Sequence, residues 1–192
     1  MKRVMRGWAL FSGFCTFICL LLWHGTKEDI LLTAAITAGT IFYHIGIRLV
    51  IGYAFDVLLR NQTNHQRKWY RVSPWEKRLY NKLKVKGWKQ KMPTYDTALF
   101  DPSLHTWEEI AKAMCQAELV HETNIVASFV PLLFSIWLGA FPVFLVTSIL
   151  ATVYDGLFVI LQRYNRPRVL RLAERKAHRL CGEERKIPDE KV

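Results

Sequence analysis

Cysteine is scarce in this chain, and acid is outnumbered. Four of the 192 residues are cysteine, and no two of them form a C-x-x-C pair. Neither a disulfide framework nor a zinc knuckle is therefore encoded. Also missing are a G-x-G-x-x-G turn, a Walker lysine loop and a G-x-S-x-G elbow, so a nucleotide-binding fold and a hydrolytic serine have no support. His121-Glu122 begins like the zinc motif H-E-x-x-H, but its last position is Ile125. Glu118-x-x-His121 has the form of half a di-iron site, and the chain has no second Glu-x-x-His. No metal is expected. Asp and Glu number 16 against 27 Lys and Arg, a net charge of +11.

What is present is apolar: 51% of the residues are hydrophobic and 13% aromatic. A basic nucleic-acid binder seldom carries that much hydrocarbon, and here the charge and the hydrocarbon are segregated. Apolar residues gather in blocks of about 15 to 25, the length that crosses a hydrocarbon layer of about 30 Å at about 1.5 Å per residue. The positive charges fall between and after those blocks. The expected fold is all-α, a four-helix multi-pass membrane protein with a cytoplasmic amphipathic helix. The start, MKRVMR before Trp8–Trp23, has a signal-like shape, but no small-x-small cleavage site follows, and it is read as a retained first span.

Four segments are expected: residues 1–62 with two transmembrane helices, 63–105 as a basic cytoplasmic amphipathic and loop segment, 106–172 as a transmembrane hairpin, and 173–192 as a polar cytoplasmic tail. In the second block, Arg48 and Asp56 are eight residues apart and similarly oriented on a helix. The simplest reading lets Arg48 snorkel and leaves Asp56 at the interface. From residue 60 to 91 the only acid is Glu76. Ser73-Pro74-Trp75-Glu76 carries helix-start signals, with Ser73 as cap and Glu76 three residues on. Trp75, Leu79 and Leu83 then recur every four residues amid Lys and Arg, the pattern of a helix lying on anionic lipid headgroups. Nucleic acid is not expected as a partner, because the segment stands between membrane blocks. A helix is expected from about Thr106 unbroken to Gly139, with Glu108 and Glu109 at its positive end. Val143–Leu161 is the fourth crossing, its polar members including Ser148, Thr152 and Asp155, and Pro167 is expected to interrupt the helix beyond it.

The two short connections, 24–29 and 139–142, hold one lysine between them, whereas every other non-apolar stretch is basic. By the positive-inside rule both termini and the middle segment face the cytoplasm of a cell membrane. On that side stand two candidate constellations. Glu118 and His121 are three apart and share a helix face. A carboxylate beside an imidazole makes a general base, able to deprotonate a sugar or lipid hydroxyl. Gln162-Arg163-Tyr164-Asn165-Arg166-Pro167-Arg168 offers guanidinium forks for phosphate and amides that mere headgroup anchoring does not need.

At these positions the sequence resembles the glycosyl-4,4'-diaponeurosporenoate acyltransferases, membrane enzymes of staphyloxanthin-type carotenoid synthesis. The resemblance rests on Val85…Trp88-Lys89-x-Lys91, on Ala117-Glu118-Leu119-x-His121 and on the run 162–168. It implies transfer of a fatty acyl group, from acyl-CoA or an acyl carrier, to a hydroxyl of a membrane glycolipid. It implies no bound cofactor. Glu118 and His121 would be the catalytic pair, and Trp88, Lys89, Gln162, Arg163, Asn165, Arg166 and Arg168 would bind substrate. Two other readings stay open: a small lipid methyltransferase, which would bind S-adenosylmethionine, and a non-catalytic scaffold, which would tolerate loss of Glu118 and His121.

Overall fold

The computed structural model describes residues 2–94 and 96–184. The chain is 82% helical, with no strand among the described residues. Among the described residues seven α-helices follow one another: α1 (Lys2–Thr26), α2 (Asp29–Leu59), α3 (Pro74–Lys82), α4 (Val85–Trp88), α5 (Trp107–Ala127), α6 (Pro131–Leu138) and α7 (Phe141–Glu184). Four helical stretches are long and apolar enough to cross a membrane: Arg3–Thr26, Asp29–Leu59, Trp107–Leu138 and Phe141–Arg179. The expected all-α, four-span class is what the chain adopts. Of the expected tail, residues 173–184 continue α7, and 185–192 lie outside the described residues.

The described residues form two compact units, one within 1–60, 93–96 and 118–159, the other within 61–92, 97–117 and 160–184. In the first, α1 and α2 pack closely through small residues. A Cβ on Gly13 would come within 3.2 Å of the Phe42 ring, and one on Gly39 within 3.3 Å of Thr16. Such close approach suits helices that gain little from hydrophobic burial against each other in lipid. Large apolar side chains instead face outward, Phe14, Ile136, Trp137 and Leu150 among them. The residues buried here are largely polar: His44, Asn124, Ser128, Ser148 and Asp155.

Two expectations are corrected. The third apolar stretch is not one helix. After Ala127 the amides of Phe129 and Val130 turn back on residues three earlier, and α6 restarts at Pro131. Pro131 has no N–H for the ladder, and its ring obstructs the preceding turn, so the helix breaks before it. Pro167, by contrast, does not interrupt α7, which runs through it for 44 residues. An interior proline costs about 3 kcal/mol, and here the turn preceding it is held by the guanidinium contacts of Arg163 and Arg166 described below.

In the second unit, α3 begins at the capping box read from the sequence. Ser73 Oγ accepts from the Glu76 amide, and Glu76 Oε2 accepts from the Ser73 amide at 2.6 Å. The helix ends sooner than the apolar spacing suggested, because Lys84 takes a left-handed φ of 49° before α4. Glu76 and Tyr80 form its buried face, and Trp75, Leu79 and Leu83 its exposed one.

Candidate functional site

In the first unit the polar centre is built from one turn each of α2, α5 and α7. His121 leaves α5 with its ring stacked on Phe158, centroids 4.7 Å apart and planes at 10°. Its Nδ1 stands 2.9 Å from Asp155 Oδ1. The other oxygen of Asp155 accepts from Arg48 Nη2 at 2.5 Å. That guanidinium also donates to the carbonyls of Ala151, at 3.2 Å, and His44. Asp155 is wholly buried, while the side chains of Arg48 and His121 keep 11% and 22% of their surface. An ionised carboxylate only accepts, so the histidine nitrogen facing it carries the hydrogen. The lone pair then lies on Nε2, which makes no hydrogen bond among the described residues.

Around this triad are polar groups with unused capacity. Both ring nitrogens of His44, Asn124 Oδ1, Ser148 Oγ and Thr152 Oγ1 are buried without a hydrogen-bond partner. His44 lies one turn from Arg48, Asn124 one turn from His121, and Thr152 one turn from Asp155. Buried polar atoms are normally satisfied, so each orphan asks for a reason. Glu118, the other member of the expected pair, is fully buried one turn before His121. The same unit holds a largely apolar cavity of ≈ 380 Å³, lined by residues including Leu20, Leu32, Ile36, Tyr43, Phe134 and Phe144.

The second unit gathers the expected cationic residues and sorts them. Arg163 Nε donates to Glu76 Oε1 at 2.7 Å, and its terminal nitrogens donate to the carbonyls of Trp69 and Arg71. Arg166, 1% exposed, donates to the Tyr70 carbonyl at 2.5 Å and lies over the Tyr70 ring. Gln162 is buried beside them on the sequence's i,i+4 spacing. Arg163 and Arg166 bind residues 69–76 to α7. The opposite side is organised on Tyr164. Lys89 Nζ donates to Asn165 Oδ1 at 2.9 Å and lies 5.4 Å from the Tyr164 ring centre. Arg168 is 4.0 Å from that centre and donates to the Tyr164 hydroxyl at 2.7 Å. Trp88 turns its indole N–H to the Leu83 carbonyl.

Burial pushes the Glu76 carboxyl up, but Arg163 and the Ser73 cap overcome it and hold the group at about 2. Burial first, and then the Glu76 charge, pushes the Tyr80 phenol to about 12.

Sequence reading missed Asp155 and Arg48 as partners of His121. The available signal was an acid within one apolar block and a base within another, since charge at membrane depth is rarely left unpaired. Arg48 turns to Asp155 rather than reaching outward alone.

The chain is thus of the all-α, four-span class, with a histidine–carboxylate centre in one unit and a cationic aromatic cluster in the other. The family described as glycosyl-4,4'-diaponeurosporenoate acyltransferase matches residues 66–175, more than half of the chain. The protein belongs to that family and is an acyltransferase. No curated protein and no solved structure matches the chain.

Proposed function

We propose that the protein transfers a fatty acyl group to a hydroxyl of a membrane glycolipid or carotenoid glycoside, with His121 as general base. His121 Nε2 takes the proton of the acceptor hydroxyl as that oxygen attacks the acyl carbonyl. The tetrahedral intermediate then expels the thiolate of acyl-CoA or an acyl carrier, which takes the proton back from the imidazolium. Atoms balance without a bound cofactor. Family membership supports the acyl chemistry, and the single structural observation that carries the residue assignment is the buried Asp155 on His121 Nδ1. Asp155 is assigned the place beside the His121 imidazole that the sequence reading gave to Glu118. Glu118 is the second acid of the centre, on the same α5 face.

Lys89 and Arg168 are the cations assigned to the donor's phosphates, with Asn165 and Trp88 beside them. Gln162, Arg163 and Arg166 are assigned to holding that surface in shape. The ≈ 380 Å³ apolar cavity is suited to hydrocarbon, and Tyr43 on its wall is the chain neighbour of His44. Both termini and the residues between α2 and α5 are assigned to the cytoplasmic side of the cell membrane, following the lysine and arginine distribution.

The test is His121→Ala in membranes supplied with glycosyl-4,4'-diaponeurosporenoate and a labelled long-chain acyl-CoA. Transfer of label to the acceptor should be abolished at unchanged protein level. Near-normal turnover would remove His121 from the mechanism.

A further inference from the structure

We propose that Arg48 and Asp155 act together as a positioning pair that fixes His121 in its Nδ1–H tautomer, dedicating Nε2 to the acceptor proton. The inference rests on the reading of His121 as base and extends it to a residue of α2. Arg48 lies outside residues 66–175, so the family match assigns it nothing.

The argument starts from the two oxygens of one buried carboxylate. Oδ1 meets His121 and Oδ2 meets Arg48. A carboxylate alone in such a place is strongly disfavoured and tends to be neutralised by a proton. A protonated Asp155 could donate to Nδ1 instead of accepting from it, and the ring hydrogen would then move to Nε2. That tautomer has no lone pair where the acceptor hydroxyl needs it. The guanidinium removes this alternative by supplying a permanent positive charge. It is itself held, through the His44 and Ala151 carbonyls, so the charge cannot drift from the carboxylate. Stacking on Phe158 fixes the ring plane, which leaves the position of the hydrogen as the remaining variable.

The experiment is heteronuclear NMR of histidine-labelled full-length protein in detergent micelles, with His121 signals assigned by their loss in His121→Gln. The wild type should show the Nδ1–H tautomer, and Arg48→Lys, which keeps the charge, should show it too. Arg48→Gln and Asp155→Asn should shift the ring to Nε2–H or a mixture. With the same acceptor and acyl-CoA, kcat should fall by at least about tenfold in Arg48→Gln with KM little changed, and Arg48→Lys should recover it. A wild-type ring carrying its hydrogen on Nε2 overturns the proposal, as does an Arg48→Gln ring with unchanged tautomer. Should Arg48→Gln fail to fold, Asp155→Asn and Arg48→Lys still decide it. A changed tautomer with unchanged kcat would uphold the pair and remove His121 as base, separating the two failures.

Discussion

The Arg48–Asp155 pair of the first unit and the Arg163–Glu76 pair of the second have the same chemistry at nearly the same separation, 2.5 and 2.7 Å. Their surroundings differ. Glu76 gives its remaining capacity to the Ser73 amide at the helix start and to the Tyr80 hydroxyl one turn further along the same helix. Every contact of that carboxylate holds α3 together or ties it to Arg163 of α7. Asp155 gives its second oxygen to a histidine whose other nitrogen is uncommitted, amid buried polar atoms that lack partners. The Glu76 pair closes its own hydrogen-bond account, whereas the pair proposed to work in catalysis leaves one group open, and that asymmetry separates the two more clearly than distance or burial does.

The contrast breaks most directly if the two carboxylate centres are exchanged in a test. His121→Gln should lower kcat by about 10² to 10⁴, the usual contribution of a general base, with the thermal transition unmoved. Glu76→Gln should do the reverse. It leaves Arg163 without its charged acceptor and should cost about 2 kcal/mol, read as a lower melting point in micelles, with kcat of the folded fraction retained. The pH dependence has a definite sign. The folded Glu76 carboxyl, at about 2, lies below its ordinary value of 4.5, so its stabilisation is fully present above the ordinary value. It should be lost as pH falls from about 4.5 towards 2, and the Glu76→Gln protein should lack that acid-sensitive component. A mutant that keeps the same acid transition would deny Glu76 its place in the scaffold.

A smaller effect sharpens the division within the cationic cluster. Lys89→Ala and Arg168→Ala remove the cations gathered on Tyr164, and each should raise the KM for acyl-CoA by about tenfold while leaving kcat and the melting point close to wild type. Arg166→Ala should instead lower the melting point, because that side chain is buried on Tyr70. Equal effects of Arg166 and Arg168 on KM would merge the two sides that the structure separates.

Legibility from sequence followed the range of the interaction. The spans could be read because bilayer thickness fixes their length, and the Ser73–Glu76 box because two residues three positions apart carry all of it. Glu118 and His121 could be placed on one face by helix periodicity alone. Asp155 could not be paired with His121, since the two are 34 residues apart on different helices and their meeting depends on helix register. Arg48 and Asp155, 107 apart, depend on it doubly. The break before Pro131 was in principle visible, but a long apolar run concealed it. Pro167 misled in the opposite direction: local chemistry argued for a break, and the long-range contacts of Arg163 and Arg166 with residues 69–71 prevailed. Within 162–168 composition marked the cluster, but only the helix's orientation told which arginine faces the protein.

The smallest expected change concerns the part most fully written in local sequence. Ser73→Ala removes the hydroxyl that caps the Glu76 amide but leaves the Glu76 contact with Arg163 in place, so it isolates the cap from the ion pair. N-cap loss costs about 1 kcal/mol, less than the loss expected for Glu76→Gln. Because Glu76 still accepts from the residue 73 amide and from Arg163, most of its depressed titration should survive. The acid transition should therefore keep nearly its wild-type midpoint, displaced slightly upward by the lost cap. The double substitution Ser73→Ala/Glu76→Gln should destabilise by less than the sum of the two, since the cap and the carboxylate share one helix start. Strict additivity in that cycle would mean that the box is two independent contacts, and that the scaffold pair of this unit is less closed than its hydrogen bonds indicate.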